Sequence, residues 1–183
     1  MIEIRLHGFG GQGAVIAADI LAIAFVEEGK EVAAFPAFGA ERRGSPVAAF
    51  VRFDDKPIRE KCLIYNPDCL LVLDPRQLHA EATFAGIKPG SSLIVNSSTP
   101  LSGFARSNIT RIGTVDATSI AREELGRPIT NTCMVGAFAG ATNWVTLESI
   151  ITGLKEFFKG ELLEKNIKVA QRGFNEVAVI KVG

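Results

Sequence analysis

The stretch Ile2-Glu3-Ile4-Arg5-Leu6-His7-Gly8-Phe9-Gly10-Gly11-Gln12-Gly13 decides the fold. Its first six residues form a strand pattern that runs straight into a glycine loop, and a helical stretch, Ala14 to Glu28, follows. Gly8, Gly10 and Gly13 have the G-x-G-x-x-G spacing of a strand–turn–helix unit that binds dinucleotides. Glycine tolerates positive φ and lets the backbone approach a ligand or a neighbouring element. The first helical turn then offers unpaired N–H groups at the positive end of a dipole, which suits an anion. Gly8, Gly10, Gly11, Gln12 and Gly13 are therefore candidate ligand-binding residues. The plain alternative is a tight turn with no ligand.

The second half of the dinucleotide signature is absent. NAD-binding units place an acid about twenty residues on, at the end of the second strand, for the ribose hydroxyls. Here that strand, Glu31 to Pro36, ends in Phe35-Pro36, and its one acid stands at its start. NAD is disfavoured. NADP on a free-standing Rossmann oxidoreductase stays open, with arginines downstream as partners for a 2′-phosphate.

Those arginines lie in the loop Phe38-Gly39-Ala40-Glu41-Arg42-Arg43-Gly44-Ser45-Pro46. It follows the second strand, on the edge where open α/β sheets bind ligands. Arg42 and Arg43, flanked by Gly44, can present guanidinium forks to phosphate or carboxylate, with Glu41 holding one in place. A solvated turn with surface charges is the bland reading. Asn131-Thr132 opens a later helix, where Asn131 serves either as an N-cap or as an amide aimed at a ligand. Asn96-Ser97-Ser98 carries the same ambiguity.

Strand and helix signals alternate along the rest of the chain. Pro46–Phe53 is a strand that follows its predecessor too closely for a helical crossover, so it is expected to pair antiparallel. Leu70–Leu73 is a continuous apolar run ending in Asp74-Pro75, the pattern of a buried parallel strand. Arg76–Phe84 is a short helix candidate, and Ser92–Val95 and Ile109–Val115 are further strands. Thr118–Leu125 reads as a helix stopped by Gly126. Asn131–Thr142, rich in alanine and glycine, suits a helix packed closely on its neighbours. Thr146 caps the next helix, Lys159-Gly160 breaks it, and Leu162–Val179 is a last amphipathic helix with Leu163, Ile167, Ala170, Phe174 and Val177 on one stripe. The order predicts a single α/β domain over residues 1–183: a doubly wound, mostly parallel sheet with a Rossmann-like first βα unit and C-terminal helices.

Composition narrows the function. Acids and bases balance at 20 each, which argues against nucleic-acid or membrane-surface binding through bulk charge. No apolar run approaches the roughly 20 residues that span a bilayer. Met1 leads at once into a strand, without a basic n-region, so a cytoplasmic location is expected. Cys62, Cys69 and Cys133 form no C-x-x-C pair, which suggests reduced thiols and leaves no local four-cysteine cluster. His7 is read as capping the first strand and His79 as exposed, and neither has partners at metal-ligand spacing, so no metal is assigned. No catalytic set emerges. The chain resembles a ligand-binding or assembly unit more than a self-sufficient enzyme.

The two loops together carry a family resemblance. Gly8-Phe9-Gly10-Gly11-Gln12-Gly13, with Phe35-Pro36-Ala37-Phe38-Gly39-Ala40-Glu41-Arg42-Arg43-Gly44-Ser45-Pro46-Val47, resembles the gamma subunit of 2-oxoacid:ferredoxin oxidoreductases. The same unit is one domain of the single-chain pyruvate:ferredoxin oxidoreductases. The resemblance covers essentially the whole chain, including Leu73-Asp74-Pro75 and Asn131-Thr132. It implies a part in oxidative decarboxylation of a 2-oxoacid to acyl-CoA and carbon dioxide. Thiamine diphosphate and iron–sulfur clusters are implied on partner alpha, beta and delta chains, with ferredoxin as acceptor and none of these cofactors here. It also implies that this unit packs beside the thiamine-binding core and helps bind coenzyme A, so the isolated chain is expected to be inactive. The Phe35–Pro46 stretch is closer to gamma subunits acting with pyruvate or branched-chain 2-oxoacids. A docking subunit with no ligand of its own is the competing expectation.

Overall fold

Ile4 and Leu6 are fully buried against helices, while Arg5 and His7, pointing to the other side of the same strand, are buried too. Both faces of the first strand are thus covered, which makes it the middle of a layered structure. The computed structural model describes residues 1–37, 44–101, 104 and 106–182. Its elements run β1 (Ile2–Phe9), α1 (Ala14–Glu27), β2 (Glu31–Pro36), β3 (Pro46–Asp54), β4 (Cys69–Val72), a 3-10 turn (Pro75–His79), α2 (Glu81–Phe84) and β5 (Ser91–Asn96). Then follow β6 (Ile109–Val115), α3 (Ala117–Leu125), α4 (Asn131–Thr142), α5 (Leu147–Phe157), α6 (Gly160–Glu176) and β7 (Ala178–Lys181).

The seven strands form one sheet in the order β2-β3-β1-β4-β5-β6-β7. The centre, β1-β4-β5-β6, is parallel. As its short connection requires, β3 is antiparallel to both β2 and β1, and it inserts between them. β2 therefore runs the same way as β1, and only β3 and β7 oppose the common direction. The α/β class and the mostly parallel strand direction are those the alternation predicts.

The two faces are clothed differently. Ile4, Leu6, Val51, Cys69, Leu71 and Ile94 meet α1, α4 and α5, with α6 packed outside, in one large core. Leu70, Val72, Leu93 and Val95 face the other way into a smaller core closed by Phe84, Ile87, Leu101 and Phe104. Long helices cover one face, and short turns and coil cover the second.

On that second face the coil is held by buried cations. Arg5, 7% exposed, donates to the Thr83 and Ala85 carbonyls at 2.8 and 2.9 Å. Arg52, 1% exposed, donates to the Cys62 and Leu63 carbonyls at 2.7 and 3.2 Å and pairs with Glu3 at 2.9 Å. A guanidinium that replaces its water with carbonyls and a carboxylate can be buried without leaving donors unpaired.

On the first face α4 and α6 cross with their backbones in near contact. A Cβ at Gly136 would fall on the Ala170 carbonyl, and one at Gly173 on the Cys133 carbonyl. The expected closeness of the Ala/Gly-rich helix is thus met by glycine on both partners.

Three local expectations are corrected. The final helix ends at Glu176, and Ala178–Lys181 is a strand antiparallel to β6, because the run Val177-Ala178-Val179-Ile180 satisfies an open sheet edge instead of adding a helical turn. His7 does not cap β1: it sits inside it, 9% exposed, and its Nε2 accepts from Arg5 Nε at 3.0 Å. The single helix expected over Arg76–Phe84 is a 3-10 turn and a short α-helix separated by Ala80, whose backbone is extended.

Candidate functional site

The carboxyl ends of β1 and β4 adjoin in the sheet, and the chain leaves them toward opposite faces, α1 on one and the 3-10 turn and α2 on the other. This is the switch point where open α/β sheets offer a crevice. The glycine loop occupies it. Gly11 and Gly13 have φ of 94° and 78°, a left-handed conformation that side chains rarely adopt. Gln12 N donates to the Phe9 carbonyl at 3.0 Å, closing the turn.

Gln12 is the tie between the loop and the rest of the edge. Its Oε1 accepts from Phe9 N at 2.7 Å and its Nε2 donates to Asp74 Oδ2 at 2.7 Å. Asp74 also accepts from Arg76: Oδ1 from the backbone N at 3.0 Å and from Nε at 2.9 Å, Oδ2 from Nη2 at 2.8 Å. The hydrogen bonds from the Arg76 side chain, more than any other factor, hold the Asp74 carboxyl below the usual carboxylate range. The guanidinium carbon of Arg76 in turn lies 4.3 Å from the centre of the Phe9 ring. Gln77 Nε2 donates to the Gly8 carbonyl at 3.0 Å from the same 3-10 turn.

The opposite flank is built by α4. Asn131 is 3% exposed, and its Nδ2 lies only 2.5 Å from where a Cβ at Gly13 would stand. The third glycine is therefore required by the approach of Asn131. Asn131 is the first residue of α4, and its Oδ1 accepts from the adjacent Thr132 N at 2.9 Å. Thr130 holds the N-cap position without a side-chain cap. Asn96 turns out to be structural, donating to the Leu73 carbonyl and Thr118 Oγ1 at 3.0 and 2.9 Å.

The two loops meet. Gly10 N donates to the Ser45 carbonyl at 2.8 Å, and Gly44 N to the Gly10 carbonyl at 3.2 Å. Gly8, Gly10, Gly11, Gln12, Gly13, Gly44 and Asn131 therefore share one edge. Arg42, Arg43 and Glu41 lie outside the described residues. Sequence reasoning missed Asp74, Arg76 and Gln77. The available signal was an Asp-Pro-Arg run closing a buried strand at the binding edge of the sheet.

What the edge can hold follows from these contacts. Gly13 is filled from inside by an amide and Gly10 N is already bonded, so the loop is not an open pyrophosphate cradle of the dinucleotide kind. The start of α1 and the exposed face of Arg76 still present donors and positive charge, which fits a phosphate-bearing ligand or an acidic surface. Cys69 and Cys133 are buried and Cys62 exposed. Among the described residues, no group of three or more His, Cys, Asp or Glu side chains could hold a metal ion, and no helix is long and apolar enough to cross a membrane.

Residues 3–176 match the family described as pyruvate ferredoxin/flavodoxin oxidoreductase. The chain belongs to this family. It is 52% identical, over all of both chains, to a protein of Thermococcus kodakarensis named "Pyruvate/ketoisovalerate oxidoreductases common subunit gamma". It is 48% identical to "Pyruvate synthase subunit PorC" of Methanothermobacter thermautotrophicus, covering 100% of this chain and 99% of that one. In three dimensions it resembles the crystal structure of pyruvate oxidoreductase subunit PORC from Thermotoga maritima, with a TM-score of 0.85, 38% identity and 97% of each chain covered. These matches run the full length of the chain, and they identify it as a gamma-type subunit of this family.

Proposed function

We propose that this chain is the gamma subunit of a complex that oxidatively decarboxylates a 2-oxoacid, pyruvate or a branched-chain acid, to acyl-CoA and carbon dioxide with ferredoxin as acceptor. The observation that carries this reading is the full-length identity of about half with a gamma subunit named as common to pyruvate and ketoisovalerate oxidoreductases. In this reading residues 1–183 act as one unit in the cytoplasm, beside alpha, beta and delta subunits. Thiamine diphosphate, which cleaves the carbon–carbon bond, and iron–sulfur clusters, which take the electron pair, belong to those partners.

This chain's own contribution is the edge around the glycine loop. Gly8, Gly10, Gly11, Gln12, Gly13, Arg42, Arg43, Gly44 and Asn131 form the side that meets coenzyme A, whose thiol receives the acyl group. The α1 N-terminus and the arginine loop supply positive charge for its phosphates. Gln12 fixes the glycine loop to Asp74, so the α1 N-terminus is held in place before a ligand arrives.

The test is the assembled complex carrying Arg42→Ala with Arg43→Ala. Weaker coenzyme A binding with the subunits still associated supports the reading, whereas unchanged affinity and unchanged assembly would refute it. The isolated chain is expected to show no turnover. A second reading, docking of a neighbouring subunit without a ligand, is favoured by the internal filling of the loop by Asn131 and Ser45. Under it, the same double variant releases the gamma chain on gel filtration.

A further inference from the structure

The glycine loop draws attention to itself in the sequence, yet the described cation at this edge belongs to the 3-10 turn that follows β4. Arg76 has a side chain 70% exposed, while its partner Asp74 is only 11% exposed. An exposed arginine is ordinarily mobile and contributes little through a surface ion pair. Arg76 is instead held on two sides. Its Nε and Nη2 grip both oxygens of Asp74 at 2.9 and 2.8 Å, and its guanidinium carbon stands 4.3 Å from the Phe9 ring centre. Asp74 accepts three of its four hydrogen bonds from Arg76 and the fourth from Gln12 Nε2, so the ion pair is tied to the glycine loop while the arginine side chain stays exposed. The Nη1 donors have no hydrogen-bond partner among the described residues, which leaves a fixed fork open to an anion.

Its surroundings point to the same ligand. Phe9, against which it lies, is bonded through its N–H to Gln12, one residue before the Gly13 that precedes α1. On the far side of Gly13, Asn131 is 3% exposed and its Nδ2 lies 2.5 Å from where a Cβ at Gly13 would stand, so the loop has no room for a ligand there. Because the loop itself is filled, recognition of a strongly charged group here needs a cation outside the loop. We infer that Arg76 anchors a phosphate of coenzyme A and that Asp74 is its positioning residue. The inference rests on the reading that this edge meets coenzyme A.

The experiment uses the assembled complex with Arg76→Ala, Arg76→Lys or Asp74→Asn in this chain. Arg76→Ala is expected to raise KM for coenzyme A by roughly ten-fold to a hundred-fold, the worth of a charge-assisted contact, with kcat and the KM for the 2-oxoacid unchanged. Arg76→Lys restores the charge but not the fork, so it recovers only part of the loss. Asp74→Asn gives a smaller rise, because the cation remains and its orientation is loosened. Repeating the series with 3′-dephospho-coenzyme A identifies the phosphate. If the Arg76→Ala effect vanishes, the contact is to the 3′-phosphate, and if it persists, to the diphosphate.

An unchanged KM for coenzyme A in an intact Arg76→Ala complex overturns the inference. So does loss of the gamma chain from that complex on gel filtration, which would make Arg76 a docking contact. The Arg42→Ala with Arg43→Ala complex separates this failure from that of the parent reading. A raised KM there, beside an unchanged one in Arg76→Ala, removes Arg76 alone.

Discussion

His7 makes the stability of this chain depend on pH in a calculable way. Its ring is 9% exposed inside β1, and Nε2 accepts from Arg5 Nε at 3.0 Å, which places the ring's own proton on Nδ1. Burial first, and the positive charge of Arg5 second, push its pKa from 6.5 down to about 3. The folded chain therefore keeps His7 neutral where the unfolded chain protonates it. Above the unfolded pKa there is no difference between the states. As pH falls from about 6.5 toward 3, the unfolded state binds a proton that the folded state refuses, and stability drops by about 1.4 kcal/mol per pH unit. Between pH 7 and pH 5 the loss from this one residue is about 2 kcal/mol, a large part of the roughly 5–15 kcal/mol that holds a domain folded. His7→Gln keeps an oxygen acceptor for Arg5 and removes the titration. Urea unfolding of both chains at pH 7 and pH 5, followed by far-UV circular dichroism, isolates the effect, since every other titrating group is common to both. The variant is expected to gain about 2 kcal/mol on wild type over that interval. Parallel pH dependences would refute the buried neutral imidazole.

Gly136→Ala is expected to destabilise the chain despite alanine's better helix propensity. The new methyl meets the Ala170 carbonyl and forces α4 and α6 apart, an overpacking cost of about 1–3 kcal/mol against a gain of about 1 kcal/mol, so thermal melting should fall by a few degrees. A melt unchanged from wild type would mean that the helices do not cross at backbone contact. Thiol reactivity should separate the cysteines. Burial pushes Cys133 up to about 12 and raises Cys69 likewise, while Cys62 is exposed. A disulfide reagent near pH 8 should modify Cys62 in the folded chain and all three cysteines once urea is added, and rapid modification of Cys133 in the folded chain would contradict its place in the core.

What the sequence made legible follows from signals of short range. The glycine loop fixed β1 and α1, and the unbroken run Leu70–Leu73 revealed a strand covered on both faces. The short return after β2 gave the antiparallel sense of β3. Its insertion between β2 and β1 was not legible, because strand order is decided by which edges remain open after all strands exist. The burial of Arg5 and Arg52 was hidden for a similar reason. A charged residue in a strand signals solvent, and only the coil that supplies the Cys62 and Leu63 carbonyls and the end of α2 that supplies those of Thr83 and Ala85 reverse that meaning. β7 was masked because Phe174 and Val177 continue a helical stripe that breaks only when β6 offers pairing. At the candidate site, glycine spacing located the loop, whereas Asp74 and Arg76 became visible only once β4 stood beside β1.

The glycine crossing of α4 and α6 also sets an order of events during synthesis. Every residue of α4 except Gly140 is buried, and the backbone groove at Gly136 is closed by α6. The ribosome releases α4 first and completes α6 roughly thirty residues later, an interval of about two to six seconds at ordinary translation rates. Throughout that interval the nascent chain carries a helix with an uncovered apolar flank beside a sheet whose edge strand β7 has yet to be made. Newly made chains are thus most exposed to association with one another just before their last secondary-structure elements appear, and a translational pause placed between α4 and α6 would lower the yield of folded subunit more than one placed before α4.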